Sequence, residues 1–476
     1  MKNWLTRYQP RYVRSLVYML QASEYNIRDY LNWYRRTEKF DGVERRKRLV
    51  NTPKAVLILV LAWMIVFALF GIAASSLWLS SPINYFIFIV ILFLTPYFLA
   101  YGIIVPIVLL NIFAQWPIEF AIIQRAKQKL KKHDAVKIAI AGSFGKTTMR
   151  EILKSVLSEN KIVAAPPENY NTPLGISRFI ETLKGDEDVL IFELGEYYPG
   201  DVLKLCRLIE PEIGIITGVN EAHLEKFKSL DRTVKTIFEL SAWLQDRTVY
   251  VNGESSLARI NSSTSHIIYD RNGIGEWKVA DSKTDLTGTI FTLIRRNGQG
   301  LKLKTKLLGL HQIGPLATAA LIAMRLGLGA RQIEQGIART RPFDHRLEPK
   351  TDNSGVTILD DSYNGNPDGV RAIIEFLGSL KGRRRFYVTP GLVEMGPKTG
   401  TVHREIGAQL AKAGIDKIVL IKNSVTPFIY DGLKTEKYKG DVIWFDDALV
   451  AFEALTHMTV KGDVVLLQND WPDQYS

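Results

Sequence analysis

Residues 55–118 contain no Asp, Glu, Lys or Arg. A bilayer-crossing helix needs ~20 apolar residues, so this segment is long enough for two crossings. Residues 55–79 form one apolar stretch, and the polar break Ser80-Ser81-Pro82-Ile83-Asn84 follows. Residues 85–116 form the second stretch, which contains Pro96, Gly102 and Pro106. It is long for one helix and reads as a tilted or kinked span that runs on into the interface. A third span would need a tight turn near Gly102 or Pro106.

The charge distribution points the same way. The net charge is +12. Residues 1–54 carry 13 Lys/Arg against 5 Asp/Glu, and residues 119–137 carry 6 against 2. Residues 138–476 balance, with 42 of each. All the excess positive charge therefore flanks the apolar segment. That argues against a nucleic-acid partner and for membrane topology, with membrane lipids as neighbours. Both flanks are basic and the 80–84 loop is neutral. The expectation is a protein of the cell (inner) membrane with two spans and with both termini and all catalytic domains in the cytoplasm. The apolar run starts too late for a cleaved signal peptide. The single cysteine, Cys206, excludes a disulfide scaffold and a cysteine-ligated zinc site, and it fits a reducing compartment. Residues 1–54 mix Trp4, Tyr8, Tyr12, Tyr18, Tyr25, Tyr30, Trp33 and Tyr34 with arginines. They read either as a helical region at the headgroup level or as a solvated basic helix packed on the soluble part.

From about Asp134 the pattern changes. Short β-branched or apolar runs at 136–141, 189–193, 213–217, 248–251, 356–360, 385–389, 417–421 and 463–467 predict strands. Amphipathic stretches between them, such as 146–158 and 367–380, predict helices. This alternation implies an α/β fold with mainly parallel sheets. Residues 257–308, with Thr, Asn and Gly among short alternating runs, read as an antiparallel patch or insertion.

The predicted strand 136–141 runs straight into Gly142-Ser143-Phe144-Gly145-Lys146-Thr147-Thr148, and a helix follows. Backbone amides at a glycine turn and a helix N-terminus bind phosphate oxygens. Lys146 adds a point charge for β- and γ-phosphates, and Thr147 offers a hydroxyl to Mg²⁺. The usual Walker pattern wants a further glycine where Ile140 stands, so this is a shorter relative of it.

At these residues the chain resembles the Mur ligases, ATP-dependent amide ligases of cell-wall precursor synthesis. Their loop reads G-T/S-x-G-K-T-T. The resemblance continues in order over about 340 residues. Asn169-Tyr170-Asn171-Thr172-Pro173-Leu174-Gly175 is similar to the family's asparagine-rich loop, and Glu193-Leu194-Gly195 to its acidic strand end. Thr217 through His223-Leu224-Glu225 and Phe227 resembles T-N-x-x-x-x-H-L-E-x-F, with Gly218 where asparagine is usual. Asp360-Asp361-Ser362-Tyr363-Asn364-Gly365-Asn366-Pro367 is very close to D-D-S-Y-N-A-N-P, the mark of the D-alanyl-D-alanine-adding members.

The resemblance implies a central ATP-binding domain over about 133–345 and a Rossmann-like C-terminal domain over 346–476. The basic region 1–54 and the hairpin 55–118 precede them. It implies ATP and Mg²⁺ as cofactors. ATP phosphorylates a substrate carboxylate, an amine attacks the acyl phosphate, and phosphate leaves. The implied partners are a cell-wall precursor acceptor and an amino acid or dipeptide donor. Residues 142–148 would hold the nucleotide. Thr147, Glu193 and His223 fall at the magnesium positions, Asn252 at an adenine contact, and Arg346 at the arginine that reaches across to the phosphates. Asp361 and Asn364 would meet the ribose or the loop around it. Blander roles exist for each: a helix cap for Glu193, a structural histidine for His223, a surface ion pair for Arg346, and an Asx turn for Asp361 and Asn364.

Several positions depart from the family pattern. The carbamylated lysine that bridges magnesium is replaced by Ile237. Lys235 lies roughly 200° around a helix from it, and Glu239 is a candidate substitute. Either a second magnesium is held differently or activity is impaired. The G-x-H-N-x-x-N block reads Gly309-Leu310-His311-Gln312-Ile313-Gly314-Pro315, and the K-G-S segment is replaced by Gln468-Asn469-Asp470-Trp471-Pro472-Asp473. The hairpin stands where these ligases carry a uridine-nucleotide-binding domain, so a membrane-bound or lipid-linked acceptor is one expectation. Rival readings are another ligase of the superfamily, of poly-glutamate or cross-bridge type, and a non-catalytic membrane scaffold that keeps the nucleotide fold.

Overall fold

The computed structural model describes residues 4–469, except 24, 38–39, 41–42, 44–47, 79–80, 168–169, 221–226, 228, 296–297, 344, 363–364 and 394. The chain divides into two compact units, Met1–Ala121 and Ile122–Ser476.

The first unit is helical. The helix Pro53–Ser76 opens on Thr52, whose hydroxyl accepts from the Ala55 amide at 3.2 Å, with Pro53 at the first turn where its missing N–H costs nothing. A second helical run extends over Pro82–Lys131, with a π-helical turn at Asn111–Gln115. Both are long and apolar enough to cross a membrane by length and composition. Their outward faces carry Phe67 at 70%, Phe86 at 67% and Phe113 at 76% exposure. An apolar surface of this extent marks a partner or lipid face rather than a water face.

Much of the described part of residues 1–54 packs on the two apolar helices. The helix Arg11–Ala22 buries Tyr12, Leu16, Val17 and Leu20 against Ile58, Ala62, Leu99 and Ile103. Tyrosine hydroxyls from this region donate to backbone carbonyls along the second apolar helix. Tyr8 reaches Phe93 at 2.7 Å, Tyr12 reaches Pro96 at 3.0 Å and Tyr30 reaches Ala100 at 2.9 Å. Pro96 sits inside that helix and breaks its hydrogen-bond ladder. The aromatic content of residues 1–54 therefore goes largely into packing on the hairpin.

The second unit holds two sheets among the described residues. The larger comprises β1 (Val136–Ala141), β2 (Val163–Ala164), β3 (Val189–Glu193), β4 (Ile213–Ile216), β5 (Thr248–Asn252), β6 (Ile267–Asp270), β7 (Gly273–Ile274), β8 (Trp277–Asp285), β9 (Gly288–Arg295) and β10 (Gly300–Thr305). Their order is β10-β9-β8-β7-β6-β5-β4-β1-β3-β2. β1, β3 and β4 are almost wholly apolar because helices cover both faces, as parallel strands require. β6 to β10 pair antiparallel, in the stretch predicted as an antiparallel insertion, and they extend the same sheet. The smaller sheet comprises β11 (Glu348–Thr351), β12 (Thr357–Asp361), β13 (Arg385–Thr389), β14 (Lys417–Ile421), β15 (Asp441–Phe445) and β16 (Val464–Gln468), in the order β11-β12-β16-β13-β14-β15. Only β11 runs antiparallel to its neighbour.

The registers position the site. Ile140 of β1 pairs with Glu193 of β3, and Ala141 pairs with Ile216 of β4. The carboxyl ends of three adjacent parallel strands thus lie level, and the chain runs through β2 and β3 on one side of β1 before crossing to β4 on the other. Open α/β sheets bind ligands in such a crevice.

Candidate active site

β1 ends at Ala141, and the next residues form the glycine turn. Gly142 has φ +148°, where an added Cβ would strike the Thr217 hydroxyl, and Gly145 has φ +74° at the head of the helix Lys146–Leu157. Both angles favour glycine. The first-turn amides of that helix have no intrahelical acceptor and point to the loop's mouth, with the positive end of the helix dipole. Ser143 donates its amide to the Gly218 carbonyl at 2.9 Å, which ties the loop to the end of β4. Thr217 donates its hydroxyl to the Phe144 carbonyl. The Phe144 ring fills the space where a side chain at 218 would project, so glycine replaces the usual asparagine there for lack of room. Thr148 stands half-buried on the first turn.

Lys146 is held by the chain itself. Its Nζ donates to Glu196 Oε1 at 2.7 Å, to Glu196 Oε2 at 2.9 Å and to the Gly142 carbonyl. Thr147 donates its hydroxyl to Glu193 Oε2 at 3.0 Å, while Arg150 Nη1 meets Glu193 Oε1 at 2.7 Å. Glu193, Glu196 and Arg150 are all buried. Two hard oxygen donors, the Thr147 hydroxyl and the Glu193 carboxylate, meet beside the loop. That donor set suits Mg²⁺, which takes few protein ligands and completes its shell with phosphate and water. Among the described residues no trio of His, Cys, Asp and Glu is gathered to hold an ion without such help.

Ile237 points into the core between the sheet and its helices and is fully buried. Glu239 does not substitute for the missing lysine. Its two oxygens accept the amides of Gly200 at 3.0 Å and Leu203 at 2.9 Å, capping the helix Asp201–Ile209. Lys235 is exposed.

Asn252 ends β5 and spends both ends of its amide locally, donating to the Thr217 carbonyl at 2.8 Å and accepting from the Glu254 amide at 3.0 Å. Arg346 begins the C-terminal sheet region between two residues with left-handed backbone, His345 at φ +60° and Leu347 at φ +52°. A histidine and a leucine in that region mark a strained connection. The Arg346 guanidinium lies near Asp361 at the end of β12. Burial pushes the Asp361 carboxyl up to about 7, opposed by Arg346 and by the Leu347 amide. His223 and Asn364 lie outside the described residues.

Three features escaped the sequence reading. Glu196 and Arg150 complete the charge balance at the loop. Asn220 joins it to the C-terminal body through Asn366 and Asp368. An acidic residue directly after Glu193-Leu194-Gly195 was a usable signal, because it had to emerge on the same strand-end turn. Gln468 and Asn469, the described residues of the segment that replaces K-G-S, stitch the loops of the small sheet. Gln468 accepts from Thr389 at 3.0 Å and Tyr387 at 3.2 Å. Asn469, at φ +66°, accepts the Gly365 amide at 3.0 Å and donates to the Gly391 carbonyl at 2.5 Å. Asparagine tolerates the left-handed region better than most other side chains.

Comparison with known proteins agrees with this geometry. The Mur ligase middle domain matches residues 140–323, and the Mur ligase glutamate ligase domain matches residues 345–468. The UDP-N-acetylmuramoyl-tripeptide–D-alanyl-D-alanine ligase of Mycobacterium leprae is 27% identical over 363 residues, covering 70% of each chain. Its Bacillus subtilis counterpart is 24% identical over 350 residues, covering 73% of this chain and 76% of its own. The crystal structure of MurF ligase from Thermotoga maritima in complex with ADP superimposes with a TM-score of 0.65 at 24% identity, covering 74% of this chain and 80% of that one. That last likeness establishes the fold.

Proposed function

The chain belongs to the Mur ligase family, and from that premise we propose that it is a MurF-like ligase of peptidoglycan precursor synthesis that joins D-alanyl-D-alanine to a UDP-N-acetylmuramoyl-tripeptide at the expense of ATP. The observation that carries the reading is the register of β1 against β3. It brings Thr147 beside Glu193 and Lys146 beside Glu196 at the head of one helix.

The chemistry follows from these residues. The terminal carboxylate of the acceptor peptide attacks the γ-phosphorus of ATP, giving an acyl phosphate and ADP. The dipeptide amine attacks the acyl carbon, phosphate leaves with the bonding electrons, and the amine proton passes to solvent or a base. Loop amides and Lys146 hold the phosphates in place and offset their charge. Thr147 and Glu193 would hold Mg²⁺, which neutralises charge on the phosphates when bound. Arg346, at the strained connection between the two bodies, is assigned to the phosphates on domain closure. Asn252, Asp361 and the 360–367 loop are assigned to the nucleoside. The test is release of phosphate from ATP by the full chain in detergent, with tripeptide precursor and D-alanyl-D-alanine, and mass analysis of the product. ATP binding without product under these conditions would favour the scaffold reading.

A second element of the proposal concerns location. The apolar, ring-rich faces of the helices Pro53–Ser76 and Pro82–Gly102 support a membrane anchor, with the basic flanks on the cytoplasmic side. An anchored ligase is suited to an acceptor presented at the membrane, including a lipid-linked one. Comparing turnover of one peptide as the soluble nucleotide and as its lipid-linked form in vesicles checks this. Exclusive use of the soluble form would defeat the lipid-linked acceptor and leave the ligase reading intact.

A further inference from the structure

We propose that Glu196 is a positioning residue for Lys146: a resident carboxylate that takes the place of a phosphate on the loop's ammonium and is exchanged for the nucleotide when it arrives. The inference rests on the ATP reading of the loop given above.

A lysine ammonium has three donors. Here Lys146 makes three hydrogen bonds, two to the Glu196 carboxylate and one to the Gly142 carbonyl. None of its capacity is left for a triphosphate. The pair is also shielded from water, with 14% of the lysine side chain and 3% of the glutamate side chain exposed. Solvent and salt therefore screen it weakly. A triphosphate cannot settle against Lys146 while Glu196 keeps both its bonds, because two anions would then share one cation in a poorly screened place. The nucleotide has to take over at least part of the ammonium.

Glu196 is well placed for such an exchange. It lies on the turn that follows β3, and β3 is the direct neighbour of β1, so the carboxylate faces the loop from the adjoining strand end. Glu193, at the end of the same strand, is engaged by Thr147 and Arg150 instead. The two glutamates thus divide the work: Glu193 orders the helix head and Glu196 occupies the lysine. The resident carboxylate neutralises the ammonium when nucleotide is absent. It then makes every phosphate ligand compete for Lys146, which lowers affinity and favours product departure.

The test is equilibrium binding of β,γ-imido-ATP and ADP to the full-length protein in detergent, with EDTA and separately with Mg²⁺. Variants are Glu196→Gln, Lys146→Ala and the double substitution. Removing the competing charge of a poorly screened pair is expected to tighten nucleotide binding by ~10-fold in Glu196→Gln without metal. In the Lys146→Ala background the same change is expected to have no effect. Unchanged or weaker binding by Glu196→Gln overturns the proposal. Weakening only with Mg²⁺ present also overturns it, since Glu196 would then be a metal ligand. An equal gain in the Lys146→Ala background overturns it as well, because plain repulsion would explain that. If Glu196→Gln fails to fold, Glu196→Asp, with its shorter reach, is expected to shift affinity in the same direction by less, and no shift overturns the proposal. Failure of the ATP reading itself looks different: wild type would bind neither nucleotide, or Lys146→Ala would bind as tightly as wild type.

Discussion

Asn220 Nδ2 lies 2.9 Å from Asn366 Oδ1 and 3.0 Å from Asp368 Oδ2. The first residue follows β4, two positions beyond the glycine that packs on Phe144. The other two open the helix Pro367–Ser379 of the C-terminal body, where Asn366 is the cap. A second link lies at Arg271, which meets Glu254 of its own body at 3.0 Å and Glu375 of the other at 2.7 Å. These polar links hold the two bodies together at the mouth of the site.

Asn220 is 2% exposed, and its amide donates to two half-buried oxygens, one of them a carboxylate, so truncation removes a shielded, partly charge-assisted link. Asn220→Ala is expected to cost about 1–3 kcal/mol of docking free energy. Arg271→Ala, at a more exposed pair, should cost less than about 1 kcal/mol. Limited proteolysis of the connection around 341–347 gauges this: faster cleavage in Asn220→Ala than in Arg271→Ala is the expected order, and the reverse would contradict it.

Lys146→Ala should abolish ATP-dependent phosphate release, lowering kcat by about 10²-fold or more, as loss of a charge aimed at a reacting phosphoryl group does. Thr147→Ala should instead raise the Mg²⁺ concentration needed for half-maximal rate, because its hydroxyl is one of the oxygens beside Glu193. A metal titration of both variants separates the effects. An unchanged metal requirement in Thr147→Ala would remove that residue from the magnesium assignment.

Restoring lysine at position 237 is not expected to restore a family-like site. Ile237 is wholly enclosed by apolar neighbours. Burying an unpaired ammonium there should cost several kcal/mol. Ile237→Lys should therefore lower the melting temperature markedly, whereas Ile237→Val should cost only about 1 kcal/mol. A stable Ile237→Lys protein whose rate rises with added bicarbonate would show that the position reaches the metal after all.

Asp361 supplies a pH signature. Its folded-state carboxyl is pushed up to about 7 by burial, while an unfolded aspartate titrates near its ordinary value of 3.8. Between those values the folded chain binds the extra proton, so stability falls as pH rises through that window. Above it the penalty is constant. Asp361→Asn removes the slope, so the variant should gain stability over wild type at pH 8 and lose that gain towards pH 4. Thermal melts at pH 5 and pH 8 measure it, and parallel curves for the two proteins would rule out the raised carboxyl.

His311 works in the opposite direction. Burial, helped by Arg271, holds its imidazole down to about 4, with Glu375 opposing. The folded chain keeps His311 neutral, whereas the unfolded chain charges it below about 6.5. Its contribution is intact above that pH and is lost as pH falls towards 4. His311→Gln should flatten the acid side of the stability profile, and an unaltered acid limb would refute the assignment.

The parts of the site legible in the sequence were those encoded locally. Ile138, Ala139 and Ile140 followed by Gly142 and Gly145 already required a buried strand feeding a tight turn, because nothing else suits those residues. The charge-free segment likewise foretold two helices long and apolar enough to cross a membrane. Glu196 was visible as an acidic residue at a strand end, but its pairing with Lys146, 50 positions away, depends on strand register; Asn220 was illegible, because its partner lies 146 positions away on the other body. The partners of the tyrosines of residues 1–54 were illegible for a related reason. The tyrosine hydroxyls find carbonyls on a helix around Pro96 that no local pattern pairs with them.

The central place of β1 has a consequence for how the protein is made. Lys146, Glu193 and Thr217 come from three separate stretches of chain, and the strand synthesised first is flanked on each side by strands that emerge later. A growing polypeptide released before β4 has added to β1 owns a glycine turn but no pocket. The nascent enzyme is thereby kept from consuming ATP until its sheet is assembled.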